Sequence, residues 1–249
     1  MRREGESMKK LYVVGMGPGQ EVYMTVEARR ALRKSDTIVG YPVYLEQLSE
    51  EFADKRLLST PMKQERKRCV MAFEEAMRGR QVSILCSGDA GVYGMASLMY
   101  EVGVDYPEIE LKIIAGVTAA NSGAAMLGAP LGNDYCVISL SDILTPMETI
   151  IKRLRAAAAA DFSIVLYNPS SKRREDYLEK ACDILLEYMP QDRPCGIVER
   201  IGREGARMQI LPLAQLRETR VNMFTTVFIG ASATITLGGR LVTKRGYHL

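Results

Sequence analysis

Histidine is nearly absent from this sequence: the 249 residues include one, His248, next to the C-terminus. A Ser-His-Asp triad, a histidine zinc site and a histidine general base are therefore not expected. The five cysteines are odd in number and widely spaced, and none of them forms a metal-type pair. We expect reduced thiols in the core and predict no metal site.

Long hydrophobic runs are also missing. No apolar run approaches the roughly 18 residues that a membrane-spanning helix needs. The N-terminal MRREGESMKK is charged and lacks the apolar region of a secretory signal. The net charge is only +3, and the basic residues are not interleaved with exposed aromatics, which disfavours nucleic acid. We predict a cytoplasmic protein with neither a membrane nor a nucleic-acid partner.

Both standard nucleotide-binding loops are absent. The dinucleotide fingerprint G-x-G-x-x-G requires a glycine where this chain has Gln20. The P-loop requires Gly-Lys-Ser/Thr, a triplet that occurs nowhere in the chain. A glycine-rich loop is nevertheless present, because the apolar run that begins at Leu11 ends in GMGPG. Such a loop after the first strand of an α/β chain marks the sheet edge where ligands bind.

Apolar segments with strand and helix patterns alternate along the first half, which predicts a mostly parallel sheet covered by helices. A Gly/Pro-rich break at 128–134 suggests a domain boundary. The second half continues with strands and helices, but its last segments read as strands with few helices between them, which predicts antiparallel pairing. The fold class is α/β, with a first domain over 9–128 and a second over 134–249.

Small and polar residues gather at the ends of four predicted strands: GMGPG at 15–19, SGDAGVYG at 87–94, GVTAA at 116–120 and LYNP at 166–169. Each polar residue also has a purely structural interpretation. Asp89 suits a turn, Thr118 suits a helix N-cap, and Asn168 suits an Asx-turn before Pro169. The residues alone leave these alternatives open.

Taken together and in order, these segments resemble the tetrapyrrole (corrin/porphyrin) methylase family. The resemblance rests on GMGPG, SGDAGVYGMA, GVTAANSGAAMLGAPL, SLSDILTP, LYNPSSKRR, MFTTVFIGAS and KRGY. It is strongest to the branch that methylates C17 of precorrin-3B or cobalt-factor III in cobalamin biosynthesis. Uroporphyrinogen methylases have a GGDPFVFG-like second loop, which differs from SGDAGVYG here.

The resemblance implies two α/β/α domains, a parallel N-terminal sheet, a mixed C-terminal sheet and an active site in the cleft between the domains. It implies a homodimer that uses S-adenosylmethionine as methyl donor. The residues expected to bind this cofactor are Pro18, Gly88, Asp89, Val92, Thr118, Ala119, Asn168, Ile201, Thr225 and Thr226. The residues expected to bind the tetrapyrrole, whose carboxylates favour basic side chains, are Gly17, Tyr41, Arg66 and Lys172.

The expected function is methylation of C17 with coupled ring contraction. Methyl transfer from a sulfonium releases a neutral leaving group and needs correct positioning more than acid catalysis, which agrees with the scarcity of histidine. No residue is assigned as catalytic. The alternatives are a methylase of another macrocycle carbon and, in a different class, a nucleotide-binding module without catalysis.

Overall fold

The computed structural model describes residues 9–171 and 175–247. The chain divides into two compact units, Met1–Thr118 and Ala119–Leu249. The first unit holds a sheet of five parallel strands in the order β3-β2-β4-β1-β5. Its elements are β1 Lys9–Gly15, α1 Val26–Lys34, β2 Thr37–Gly40, α2 Pro42–Leu45, β3 Arg56–Ser59, α3 Glu65–Met77, β4 Val82–Cys86, α4 Ala96–Gly103 and β5 Ile109–Ile114.

Helices cover both faces of this first sheet. Successive strand side chains point to opposite faces, and Val13 packs in a core cluster with residues of α3 and α4, whereas Val14 packs in a cluster with residues of α1. Strand β4 is buried along its whole length. Such continuous burial is expected of a parallel strand between two helical layers.

The second unit holds a mixed five-stranded sheet in the order β10-β9-β11-β8-β7, where only the β7–β8 pair is parallel. A smaller sheet has the order β12-β13-β6. The elements are α5 Ala119–Leu127, β6 Gly128–Ala129, β7 Tyr135–Ser139, α6 Met147–Ala159, β8 Ser163–Tyr167, α7 Tyr177–Leu186, β9 Pro194–Glu199, β10 Arg207–Pro212, α8 Leu213–Arg217, β11 Thr225–Ile229, β12 Thr234–Leu237 and β13 Arg240–Thr243.

The division between the units falls between Thr118 and Ala119, ahead of the break at 128–134 where the sequence suggested a boundary. Helix α5 packs on strands β9, β10 and β11 of the second sheet. The Gly/Pro-rich segment after α5 is not a linker, because its first two residues form β6, which pairs with β13. A β-carbon on Gly128 would lie 2.7 Å from the carbonyl oxygen of Leu241, so this close strand approach requires glycine.

The predicted α/β class is confirmed, as are the parallel first sheet and the antiparallel pairing near the end of the second. Three elements of these two lists are too short for the sequence to predict. Strand β3 is a four-residue edge strand, α8 has five residues, and β6 has two. Elements this short carry too few residues to show a period. Among the described residues, none of the helices has the length and hydrophobicity that crossing a membrane requires.

Helix α3 carries a buried carboxylate, Glu75, which is 1% exposed. Arg78 and Arg80 both donate hydrogen bonds to it, and Arg56 lies 3.8 Å away. Burial raises the pKa of Glu75, but the hydrogen bonds from Arg80 and Arg78 outweigh burial, so the pKa lies below its ordinary value of 4.5. Because the folded pKa is the lower one, the stabilisation is present above the unfolded pKa and is lost as the pH falls.

Glu75→Gln is expected to lower the free energy of unfolding at neutral pH by about 1–3 kcal/mol, since two arginines lose a charged acceptor. Denaturant unfolding near pH 7 and near pH 4 measures this, and the difference from wild type is expected to shrink at the lower pH. Glu74→Gln is the matched control. Glu74 is the exposed neighbour of Glu75, so its substitution is expected to change the free energy of unfolding by no more than about 0.5 kcal/mol. A loss of the same size at both pH values would contradict the assignment.

Candidate active site

Three glycines bring the carboxyl ends of β4, β1 and β5 into close backbone contact. These strands are neighbours in the first sheet. A β-carbon on Gly116 would lie 2.2 Å from the carbonyl oxygen of Gly88 and 2.6 Å from that of Gly15. One on Gly15 would lie 2.7 Å from the Gly116 nitrogen. Only glycine fits at positions 15 and 116, so the three loops meet main chain to main chain.

The first and second loops also pair with each other. Gly17 and Gly88 form an isolated antiparallel bridge, in which the Gly17 amide donates to the Gly88 carbonyl at 3.0 Å and the reverse bond is 2.7 Å. Both glycines have positive φ, +83° and +66°. Gly17 and Pro18, two of the predicted ligand contacts, are buried. The predicted glycine-rich loop is therefore a fixed turn.

Asp89 joins the second loop to the third. Its Oδ1 accepts from the amides of Gly91 at 2.7 Å and Val92 at 3.1 Å, and its Oδ2 accepts from the amide of Gly116 at 2.9 Å. The turn interpretation is thus part of its role, and the bond to Gly116 adds a link between strands β4 and β5. A carboxylate has about four lone-pair sites, so Asp89 keeps capacity to accept from a ligand.

Apolar side chains stand exposed beside this aspartate clamp, which we define as Asp89 with the amides of Gly91, Val92 and Gly116. Val92 is 36% exposed, Val117 37% and Tyr93 57%. Tyr93 has φ +53°, a left-handed conformation that costs a bulky residue of order 1–3 kcal/mol and that clusters at functional sites. An exposed apolar and aromatic surface therefore lies in the segments next to the clamp.

In the second unit, the start of helix α5 is held by a tyrosine. The backbone amide of Ala120 donates to the hydroxyl of Tyr167 at 2.7 Å, which satisfies one of the amides that a helix N-terminus leaves without a partner. Ala119 is the first residue of this helix, and Thr118 directly precedes it. Tyr167 positions the start of helix α5, a role that the sequence analysis did not predict. Its place at the end of a predicted strand, next to Asn168, could have indicated it.

Asn168 follows β8 and has φ +53°. Its side-chain amide donates to the hydroxyl of Ser139, at the end of the adjacent strand β7, at 2.9 Å. The bond ties two parallel strand ends and leaves Asn168 exposed. This geometry fits a backbone turn whose polar groups face outward.

The remaining predicted cofactor residues of this unit are buried. Ile201 is 6% exposed and packs in the core under α5, so a ligand could reach only its backbone. Thr225 and Thr226 are 4% and 7% exposed, and the Thr225 hydroxyl lies 3.3 Å from Asn222 Oδ1 in the preceding turn. Arg200, next to Ile201, has φ +51°.

The predicted substrate residues differ in their surroundings. Tyr41 packs edge to face against Tyr44, with ring centroids 5.5 Å apart. Arg66 is exposed on α3, whereas Arg68 on the same helix is 4% exposed. Lys172 lies outside the described residues, as does His248.

The cysteines are poor nucleophiles. Burial raises the pKa of Cys86 to about 11, of Cys136 to about 11 and of Cys69 to about 12. Burial likewise raises the pKa of Cys182 to about 12 and raises that of Cys195 further. All five are free thiols, and the residues described by the structure contain no cluster of metal-ligating side chains.

Dithiobis(2-nitrobenzoate) is expected to label less than about one thiol per native molecule within minutes at mildly alkaline pH. The thiolate is the reactive form, and the raised pKa values keep the thiols protonated. All five cysteines are expected to react after unfolding in guanidinium. Absorbance of the released thionitrobenzoate measures the count. Rapid labelling of one native cysteine would reveal a reactive thiol and contradict this assignment.

Family comparison supplies the observation that decides the chain's affiliation. The family model described as Tetrapyrrole (Corrin/Porphyrin) Methylases matches residues 10–217. The chain belongs to this family. The resemblance inferred from the loop motifs is thereby confirmed.

Curated family members are similar over nearly the whole chain. "Cobalt-factor III methyltransferase" of Priestia megaterium is 42% identical over 96% of this chain, which spans 45% of that longer protein. "Probable cobalt-factor III C(17)-methyltransferase" of Salmonella typhimurium is 40% identical over 96% of this chain and 100% of its own length. "Precorrin-3B C(17)-methyltransferase" of a Sinorhizobium species is 39% identical over 95% of this chain and 92% of its own.

Solved structures of the family share the fold. The crystal structure of the methyltransferase CobJ has a TM-score of 0.87 and 35% identity, covering 94% of this chain and 99% of that one. A uroporphyrin-III C-methyltransferase from Thermus thermophilus, crystallised with S-adenosylhomocysteine, has a TM-score of 0.68 and 20% identity over 89% of this chain and 97% of that one. At that identity the second likeness shows the fold alone.

Proposed function

We propose that the protein is an S-adenosylmethionine-dependent methyltransferase of cobalamin biosynthesis, which methylates C17 of cobalt-factor III or precorrin-3B with coupled ring contraction. The single observation that carries the proposal is the match to C(17)-methyltransferases along nearly their full length. A match of this extent includes the loops at the strand ends, where the chemistry of an α/β protein lies. The observed loop geometry supports the same proposal.

In the first unit, the proposed cofactor contacts are Pro18, Gly88, Asp89, Val92 and Thr118. Backbone amides and one carboxylate with spare acceptor capacity can form hydrogen bonds with the hydroxyl and amino groups of S-adenosylmethionine. The exposed Val92 and Val117 beside the aspartate clamp suit its apolar parts. This donor set contains no thiolate or imidazole, which agrees with an organic cofactor better than with a metal.

In the second unit, the proposed contacts are Ala119, Asn168, Ile201, Thr225 and Thr226. Ile201 would contribute its backbone, since its side chain belongs to the core. Asn168 is held in a left-handed turn by Ser139, so its main-chain groups have a fixed direction. A strained residue that its neighbours hold in place is a usual feature of binding sites.

Bound S-adenosylmethionine supplies an electrophilic methyl group on a sulfonium that leaves as a neutral thioether. The task of the chain is to align that methyl with the macrocycle carbon and to exclude water. Rigid alignment alone can account for a large part of a rate acceleration. Loops locked by glycine contacts and by the aspartate clamp are suited to that task.

The proposed tetrapyrrole contacts are Gly17, Tyr41, Arg66 and Lys172. We further propose a cytoplasmic homodimer, as the resemblance to the family implies. Analytical ultracentrifugation at micromolar concentration tests the dimer, and a single species of monomer mass would exclude it.

Calorimetry and mass spectrometry test the function. S-Adenosylhomocysteine is expected to bind saturably and more tightly than ATP or NAD. Incubation with S-adenosylmethionine and cobalt-factor III, or in parallel precorrin-3B, is expected to add the mass of one methyl group, and the better substrate identifies the metal state. Tighter binding of a nucleotide without methyl transfer would favour the binding-module alternative and overturn the proposal.

A further inference from the structure

A buried arginine stands at the start of helix α3, facing a cavity at the carboxyl end of β4. Arg68 is 4% exposed. One of its nitrogens, Nη2, donates to the carbonyls of Thr60 at 3.0 Å and Pro61 at 3.2 Å. Its guanidinium carbon lies 5.6 Å from the centre of the Tyr41 ring. The group is therefore fixed in place by backbone and by an aromatic face.

The charge of this guanidinium is not compensated within the described chain. No carboxylate of the described residues forms an ion pair with Arg68, and its Nε is buried without a hydrogen-bond partner. The acidic residue that shares the cavity, Glu65, accepts from the amide of Lys63 at 3.2 Å. Buried charges are costly unless they are paired, so the site as it stands calls for an anion.

The cavity beside Arg68 has the size and lining for one acidic side arm. Its volume is about 230 Å³, and its lining includes Tyr41, Tyr44, Ser87 and Tyr93. Pockets that enclose a whole drug-sized ligand run from about 300 to 1,000 Å³. A substituent of a larger ligand fits this cavity, whereas the whole of a macrocycle does not.

The position of the cavity links it to the candidate site. Ser87 directly precedes Gly88 and Asp89, and Tyr93 follows Val92 of the aspartate clamp. Tyr93 lines the cavity in a left-handed conformation. The same loop thus contributes residues both to the clamp and to the lining of the arginine cavity.

We propose that Arg68 binds a carboxylate of a tetrapyrrole side chain in this cavity, and that this contact orients the macrocycle. The proposal rests on the proposed function and names a different residue from the exposed Arg66. Arg66 is solvated, so an ion pair between the tetrapyrrole and Arg66 is expected to contribute less than one with a buried arginine. Arg68 is already desolvated, and a guanidinium pairs with a carboxylate through directed hydrogen bonds.

Uroporphyrin III, a stable tetrapyrrole with carboxylate side arms, is the probe. Its dissociation constant is measured by fluorescence titration for wild type, Arg68→Gln and the control Lys67→Gln, with S-adenosylhomocysteine titrated calorimetrically on the same samples. Arg68→Gln is expected to weaken uroporphyrin III binding at least about tenfold, as the loss of a charged hydrogen bond implies. The affinity of Arg68→Gln for S-adenosylhomocysteine is expected to stay within about twofold of wild type. Both affinities of Lys67→Gln, a change at an exposed residue of the same helix, are also expected to stay within about twofold.

Unchanged uroporphyrin III affinity in Arg68→Gln would overturn the proposed subsite. An equal loss of affinity for uroporphyrin III and for S-adenosylhomocysteine would also overturn it, because it would indicate a purely structural role for Arg68. If Arg68→Gln does not fold, Arg68→Lys replaces it, with an expected loss of about threefold or more because an ammonium lacks the fork of donors. In that case, a uroporphyrin III affinity of Arg68→Lys equal to that of wild type would overturn the proposed subsite. If wild type binds uroporphyrin III through Arg68 but methylates neither cobalt-factor III nor precorrin-3B, the proposed function fails and the subsite stands.

Discussion

Gly116→Ala is expected to weaken S-adenosylmethionine binding by about 100-fold or more and to abolish most methyl transfer. The new β-carbon would lie 2.2 Å from the Gly88 carbonyl oxygen and 2.6 Å from that of Gly15, and both are backbone atoms that cannot rotate away. At least two of the three strand-end loops must then separate by about an ångström. A displacement of that size in a positioning site can cost about 100-fold in rate.

Calorimetric titration of S-adenosylhomocysteine, with circular dichroism to confirm folding, measures the effect. Gly91→Ala, in the second loop, is the matched glycine-to-alanine control, because its β-carbon would approach only the Asp89 carboxylate, at 3.3 Å. We expect it to lose less than about fivefold in affinity. Wild-type affinity in a folded Gly116→Ala variant would show that the contact between these loops does not shape the site.

Asp89→Ala is expected to have an effect of similar size, a loss of about 100-fold in donor affinity. Three amides lose their acceptor, those of Gly91, Val92 and Gly116. A hydrogen bond to a charged acceptor contributes about 1.5–3 kcal/mol, and here the contribution orders the second and third loops rather than the core. We therefore expect the variant to fold and to bind the donor poorly.

Asp89→Asn separates the two roles of this side chain. The asparagine keeps one oxygen as acceptor, whereas its amide nitrogen cannot accept a hydrogen bond, so only one side of the clamp keeps its bonds. The affinity of Asp89→Asn for the methyl donor is therefore expected to lie between those of Asp89→Ala and wild type. Asp105→Asn, an exposed change outside the loops, is expected to leave binding within about twofold. A folded Asp89→Ala variant with unchanged affinity would remove Asp89 from the site.

The parallel character of the first sheet could be predicted because most of its strands are apolar runs separated by helices with clear periodicity, although the strand order and the edge strand β3 could not. Strand β4 is buried throughout, and the strand ends at Gly15, Gly88 and Gly116 carry the residues that meet in space. Parallel strands place such ends at one edge. Sequence order alone was therefore enough to group these loops.

Other features depend on contacts that no local pattern reveals. The two residues of β6 form a strand only because β13 lies beside them, and this pairing places the break at 128–134 inside the second unit. The burial of Arg68 and the exposure of Arg66 differ because the two residues face opposite sides of one helical turn. Among basic side chains of the same segment, only the fold distinguishes a desolvated arginine from a solvated one.

The most direct test of the central claim is to locate the methyl group. The wild-type protein is incubated in parallel with cobalt-factor III and with precorrin-3B, each together with S-adenosylmethionine whose methyl carbon is isotopically labelled, and the products are examined by carbon NMR. We predict one labelled methyl, attached to C17 of a contracted ring. A label on another macrocycle carbon, or no label from either substrate in a sample that binds S-adenosylhomocysteine, would contradict the account.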